Sequence, residues 1–137
     1  MLKQKDIFVS GTSGYHTFRI PSIIAAKNGD LLAFCEGRKD GNSDSGTIEM
    51  LLRRSQDGGY NWSPIEVVWA DSNNTCGNPC PVVDQTTGII SLLMTHNLGS
   101  DIESKIIDGT SKGTRTVHLS QSSDHGRTWS SPTEITS

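Results

Sequence analysis

Ser55-Gln56-Asp57-Gly58-Gly59-Tyr60-Asn61-Trp62 and Ser122-Ser123-Asp124-His125-Gly126-Arg127-Thr128-Trp129 are one turn written twice. Both read Ser-x-Asp-x-Gly-x-(Thr/Asn)-Trp, and both run on into serine and proline, as Ser63-Pro64 and Ser130-Ser131-Pro132. The aspartate can accept backbone N–H bonds inside such a turn, the glycine supplies an unusual backbone angle, and the tryptophan can pack the hairpin onto its neighbour. Outward from these turns, short apolar runs alternate with Gly, Asn, Asp and Ser, and almost nothing repeats at helical period. Phe18 to Ala26 and Leu31 to Glu36 flank Asn28-Gly29, a two-residue hairpin signal. Glu49 to Ser55 and Ile65 to Trp69 complete a first cycle. A second cycle runs through Pro81 to Asp84, a turn at Thr86-Thr87-Gly88, Ile89 to Met94, a long polar stretch, Arg115 to Gln121 and Trp129 to Ile135. Two cycles of four strands with a repeated turn predict an all-β chain of propeller type.

The bulk numbers bound this reading. The chain has 137 residues with 33% hydrophobic content and 14 glycines, lean in apolar residues but not the profile of a disordered chain. A propeller needs roughly four to eight blades of about 40–50 residues each, so this length makes only about two to three. The expectation is a fragment, the alternative being several copies that complement one another. A net charge of −3 without any Lys/Arg run argues against nucleic acid and anionic membranes as partners. Cys35, Cys76 and Cys80 are an odd count, which excludes a fully paired disulfide framework. Cys76-x-x-x-Cys80 with His96 or His118 is a loose zinc pattern, and buried thiols are the preferred reading, so no metal or organic cofactor is expected. Only Ile7 to Val9 follows the polar start, so neither a signal peptide nor a membrane span is visible. A soluble, cytoplasmic protein is expected, provided the N-terminus is not truncated.

Phe18-Arg19-Ile20-Pro21 is similar to the Phe/Tyr-Arg-Ile-Pro motif of the sialidase (neuraminidase) family, which lies early in the propeller and ahead of the Asp boxes, as here. The two repeated turns resemble those Asp boxes, the first departing by Asn61 where Thr is usual. Leu31-Leu32-Ala33-Phe34-Cys35-Glu36-Gly37-Arg38, Leu52-Arg53-Arg54-Ser55 and Gly77-Asn78-Pro79-Cys80-Pro81 also match. The last of these, with Asp124-His125-Gly126-Arg127-Thr128-Trp129-Ser130-Ser131-Pro132, resembles the branch of mammalian cytosolic sialidases and their bacterial relatives. The match runs from about Ile7 to the C-terminus. It implies a six-bladed propeller of which residues 1–137 are the N-terminal portion of a single domain.

The resemblance implies an exo-α-sialidase, a glycoside hydrolase acting on sialylated glycoproteins, glycolipids or oligosaccharides, and assigns roles to five residues. Arg19 matches the first of three arginines that grip the sialic-acid carboxylate, a task suited to a guanidinium fork that never loses its charge. Asp44, in the loop Lys39 to Gly46, matches the acid/base; Asp40 in the same loop is a rival, and Asp44 is preferred for its offset of nine residues before Arg53. Arg38 matches the arginine near the sugar 4-hydroxyl, Asn78 a residue bordering the pocket, and Glu103 a pocket-facing glutamate of the cytosolic branch. Asp57, Asp124 and the four histidines are read as structural. Sialidases use a tyrosine nucleophile, and neither Tyr15 nor Tyr60 fits that place, so half of the machinery is missing and the chain alone is expected to be inactive. The alternative is a non-catalytic Asp-box propeller that binds glycans or a protein partner.

Overall fold

A computed structural model describes all 137 residues. Strands β1 (Thr17–Ala25), β2 (Leu31–Arg38), β3 (Ile48–Ser55) and β4 (Glu66–Trp69) form one antiparallel meander. A second meander is made by β5 (Thr75–Val83), β6 (Ile90–Asn97), β7 (Thr116–Ser122) and β8 (Thr133–Glu134). A single parallel pairing, Ile48 with Thr75, joins the two, and β1 and β8 are left as open ends. These are two blades of an unclosed propeller.

Alternation along the strands decides where the core sits. Leu32 and Phe34 of β2, Met50 and Leu52 of β3, and Ile90, Leu92 and Met94 of β6 meet between the blades, each at most 1% exposed. Burying such side chains contributes roughly 1.5–3 kcal/mol apiece before the entropy of ordering them is charged. The opposite face of the first blade carries a smaller cluster of Tyr15, Cys35 and Leu51, covered by Phe8 from the N-terminal segment and Phe18 of β1.

The two turns fold alike. In the first, Asp57 Oδ1 accepts from Ser55 Oγ (2.9 Å) and from the Asn61 amide (2.8 Å), and Trp62 Nε1 donates to the Gly59 carbonyl (3.0 Å). In the second, Asp124 Oδ1 accepts from Ser122 Oγ (2.8 Å) and the Thr128 amide (2.9 Å), and Trp129 Nε1 donates to the Gly126 carbonyl (3.1 Å). Asn61 fills the place of Thr128 because its amide reaches the same second carboxylate oxygen, at 2.7 Å. These bonds hold both carboxyls below the usual carboxylate range.

Differences from the sequence reading have local causes. β5 starts at Thr75 and not at Pro81, because the strand passes through a bulge at Asn78-Pro79 that reads as a turn. β8 keeps only Thr133–Glu134, since Trp129 closes the second turn and Ser130 is held by Ser120 and Gln121 through bonds that involve side chains. The long polar stretch contains a short helix, α1 (Glu103–Asp108), ended by Gly109 at φ 77°. No helix is long and apolar enough to cross a membrane.

Candidate active site

At one end of the cleft between the blades lies a polar cavity of about 250 Å³ with a single apolar lining residue, Ile20. Arg19, Arg38, Asp44, Asn78 and Glu103, the five residues expected at a sugar site, all line it. They arrive from both blades and from four separate segments.

Two equal bulges shape the floor. In β1, Arg19 pairs with Glu36 and Ser22 with Phe34, so Ile20-Pro21 carries one extra residue. In β5, Gly77 pairs with Thr95 and Cys80 with Leu93, so Asn78-Pro79 does the same. The residue before each proline has φ 55°, in Ile20 and in Asn78 alike. Such backbone costs of order 1–3 kcal/mol and persists only where its surroundings over-determine it. The first bulge delivers a half-exposed Arg19 whose Nη1 lies 3.5 Å from Asp44 Oδ1.

Arg38 is the most constrained group. Its side chain is 3% exposed. Nε and Nη2 donate to Glu36 Oε2 at 2.9 and 2.6 Å. Nη1 donates to the carbonyls of Asn42 (2.8 Å) and Ser43 (2.9 Å) and to Asp44 Oδ1 (2.8 Å). Arg38 therefore borders the cavity with its donors engaged by protein, and it holds the loop that presents Asp44. Asp40, the rival carboxylate, lies outside the lining and accepts the Thr47 amide at 3.3 Å, bracing the loop's base. Thr75 Oγ1 donates to the Gly46 carbonyl (2.8 Å) and ties the loop's end to the second blade.

The opposite wall comes from the segment between β6 and β7. Asp101, buried, accepts the amides of Lys112 (3.0 Å) and Gly113 (2.9 Å), which pins this segment into a closed loop whose helix carries Glu103. Asn78 Nδ2 donates to Thr95 Oγ1 at 2.6 Å. Arg115 and Asn97 also line the cavity, with Arg115 Nε 3.3 Å from Asn97 Oδ1. Sequence reasoning passed over both, although Arg115 at the start of a strand, in a segment otherwise poor in arginine, is a signal of the same kind as Arg38.

Tyr15 offers a Tyr–Glu pair, because its hydroxyl donates to Glu49. Burial and the adjacent Glu49 push the phenol well above its usual range, and the pair lies outside the cavity. That is the opposite of an activated nucleophile, so Tyr15 is structural. Cys35 and Cys76 are buried, with thiols pushed up to about 12 chiefly by desolvation, while Cys80 is exposed. His, Cys, Asp and Glu side chains form no group of three that could share a metal ion.

Comparison with known proteins agrees with this architecture. Residues 29–137 match the BNR repeat-like domain. An exo-alpha-sialidase of Aspergillus fumigatus is 35% identical, with 90% of this chain aligned to 34% of the relative. Sialidase-2 of Mus musculus is 32% identical over 99% of this chain and 36% of its own length. The chain thus spans about a third of the curated relatives it matches. Among solved structures, the Hadza microbial sialidase Hz136 superposes with TM-score 0.82 at 26% identity, covering 93% of this chain and 27% of that one. Repeated turns, meander order and superposition converge: the chain belongs to the BNR-repeat sialidase family.

Proposed function

We propose that this chain is the N-terminal portion of an exo-α-sialidase, and that the cavity between its blades is one half of a sialic-acid site. The observation that carries the reading is the convergence of Arg19, Asp44 and Glu103 on one small polar cavity with Arg38 and Asn78 beside them. In this reading Arg19 leaves Asp44 to fork onto the substrate carboxylate. Asp44 protonates the departing glycosidic oxygen and later takes a proton from water. Glu103 and Asn78 accept from and donate to sugar hydroxyls. The nucleophile and the remaining carboxylate-binding arginines come from chain beyond Ser137. Sialylated glycoproteins, glycolipids or oligosaccharides are the substrates.

The test is made in the full-length protein carrying this segment. Asp44→Ala lowers kcat/KM for sialyllactose by about 10²-fold or more. An aryl sialoside, whose leaving group needs little protonation, loses far less. Equal and small losses on both would remove Asp44 from the acid role. Glycan binding that is indifferent to Arg19→Ala, without turnover, would favour a non-catalytic binding propeller instead.

A further inference from the structure

Glu36 has no part in the roles above, yet it is the carboxylate on which the cavity is built. It continues the face of β2 that holds Leu32 and Phe34 in the interblade core, and it is 3% exposed. A carboxylate so buried persists only with its oxygens satisfied. Oε2 takes Arg38 Nε and Nη2, and Oε1 takes the backbone amide of Asn78 at 3.0 Å. Glu36 thus joins the first blade to the bulge of the second. It reaches across because Gly77 has no side chain: a Cβ there would lie 2.4 Å from Glu36 Oε1.

We propose that Glu36 is a positioning residue for the Asp44 carboxylate, acting through Arg38. The chain of contacts is continuous. Glu36 fixes the plane of the guanidinium by accepting from both Nε and Nη2, which aims Nη1 at the Asn42 and Ser43 carbonyls and at Asp44 Oδ1. Without that anchor the buried cation must seek another anion, and Asp44 is the nearest one; the carboxylate is then drawn inward, away from the cavity. The same residue fixes Asn78 through its amide, so one side chain sets both the acid and the facing wall. This inference rests on the acid/base reading of Asp44 for its catalytic consequence, but not for its structural one.

Glu36→Gln is the variant of choice because it is isosteric and can present an oxygen on only one side. Either Arg38 or the Asn78 amide then loses its acceptor. In the full-length protein, kcat for sialyllactose falls about 10–100-fold while the aryl sialoside falls less and KM changes little. On an Asp44→Ala background the same substitution adds little, since both act on one step. Amide hydrogen exchange over residues 42–47 and at Asn78 quickens about tenfold or more, with Leu52 and Leu92 unchanged. Arg38→Lys, which keeps the charge but cannot hold both Glu36 and the loop, reproduces the loop exchange should Glu36→Gln fail to fold. Equal losses on the two substrates, or loop exchange unmoved in the folded variant, overturn the proposal. A wild-type protein without sialidase activity would sink the functional reading alone, because the exchange measurement still decides whether Glu36 holds the loop.

Discussion

The two blades share a plan and differ at one corner. Each has a bulge ending in proline, a residue before it at φ 55°, and an Asp-containing turn closed by tryptophan. By register, Arg19 of the first corner corresponds to Gly77 of the second, and Glu36 to Thr95. The first corner projects a cation into the cavity. At the matching position the second has no side chain, and the space beside Gly77 is taken by the first blade's carboxylate. The repeat is therefore a scaffold with two copies of one bend, and chemistry enters where the copies stop matching. A glycine that would look like a weakness in one strand is what lets the other blade reach in.

The sharpest way to break this comparison is to give the second corner a side chain. Gly77→Ala drives Glu36 from its place and breaks its buried pair with Arg38, lowering stability by about 4 kcal/mol in urea denaturation. The matching change, Arg19→Ala, removes a half-exposed side chain and shifts stability by under about 0.5 kcal/mol. Equal losses would mean that the two corners are structurally interchangeable.

The turns offer the next contrast. Trp129 meets Phe34 of the first blade edge to face at 5.8 Å, and a Cβ at Gly126 would lie 2.6 Å from Leu32. The first turn has no such neighbour: at Gly59 the nearest atom, of Leu31, is 3.6 Å away. Trp129→Ala therefore lowers stability by about 3 kcal/mol and Trp62→Ala by about half of that, read from the same denaturation curves. A reversed order would show that the outer face of the first blade, and not the joint, holds the pair together.

The smallest effect is one of pH. Trp69 of the first blade packs against His96 and His118 of the second, with ring centroids 5.4 and 4.8 Å away. His118 is held below the usual imidazole range by burial first and by the neighbouring His96 second, with Glu134 opposing them. Asp71 accepts from His96 at 2.7 Å, and Thr116 Oγ1 lies 3.0 Å from His118 Nε2. The unfolded chain takes up the proton near pH 6.5 and the folded one only below that. Stability is thus fully present above about pH 6.5 and declines as the pH falls toward the folded value. The melting temperature drops by under about 4 °C between pH 7.5 and 5.5, and His118→Gln flattens that slope. An unchanged slope in the variant would place the titration elsewhere.

Much of this was legible from the sequence, for reasons that differ by residue. The turns at Asp57 and Asp124 and the hairpin at Asn28-Gly29 are local chemistry, so they were readable without any partner. Arg19, Asp44, Arg38, Asn78 and Glu103 were found through motif resemblance, and the structure brings them to one cavity. Glu36 was not distinguished, because a glutamate ending a strand looks solvated until Gly77 is known to lie against it. The start of β5 was missed because Gly-Asn-Pro reads as a turn when it is a bulge. Helix α1 buries no residue, so no apolar face announces it. Its loop is held instead by Asp101 accepting amides from residues eleven and twelve positions away.

Along one face of β2 the residues run Leu32, Phe34, Glu36, Arg38, the first pair dry core and the second pair ionic. During synthesis the first blade emerges with that face uncovered, and its Glu36 and Arg38 are hydrated until the second blade arrives. Docking that closes the hydrophobic seam also supplies the Asn78 amide and seals the ion pair. A nascent chain halted before β5 therefore carries Arg19, Arg38 and Asp44 without the wall that makes a cavity of them. Maturation of the site and closure of the joint are a single event.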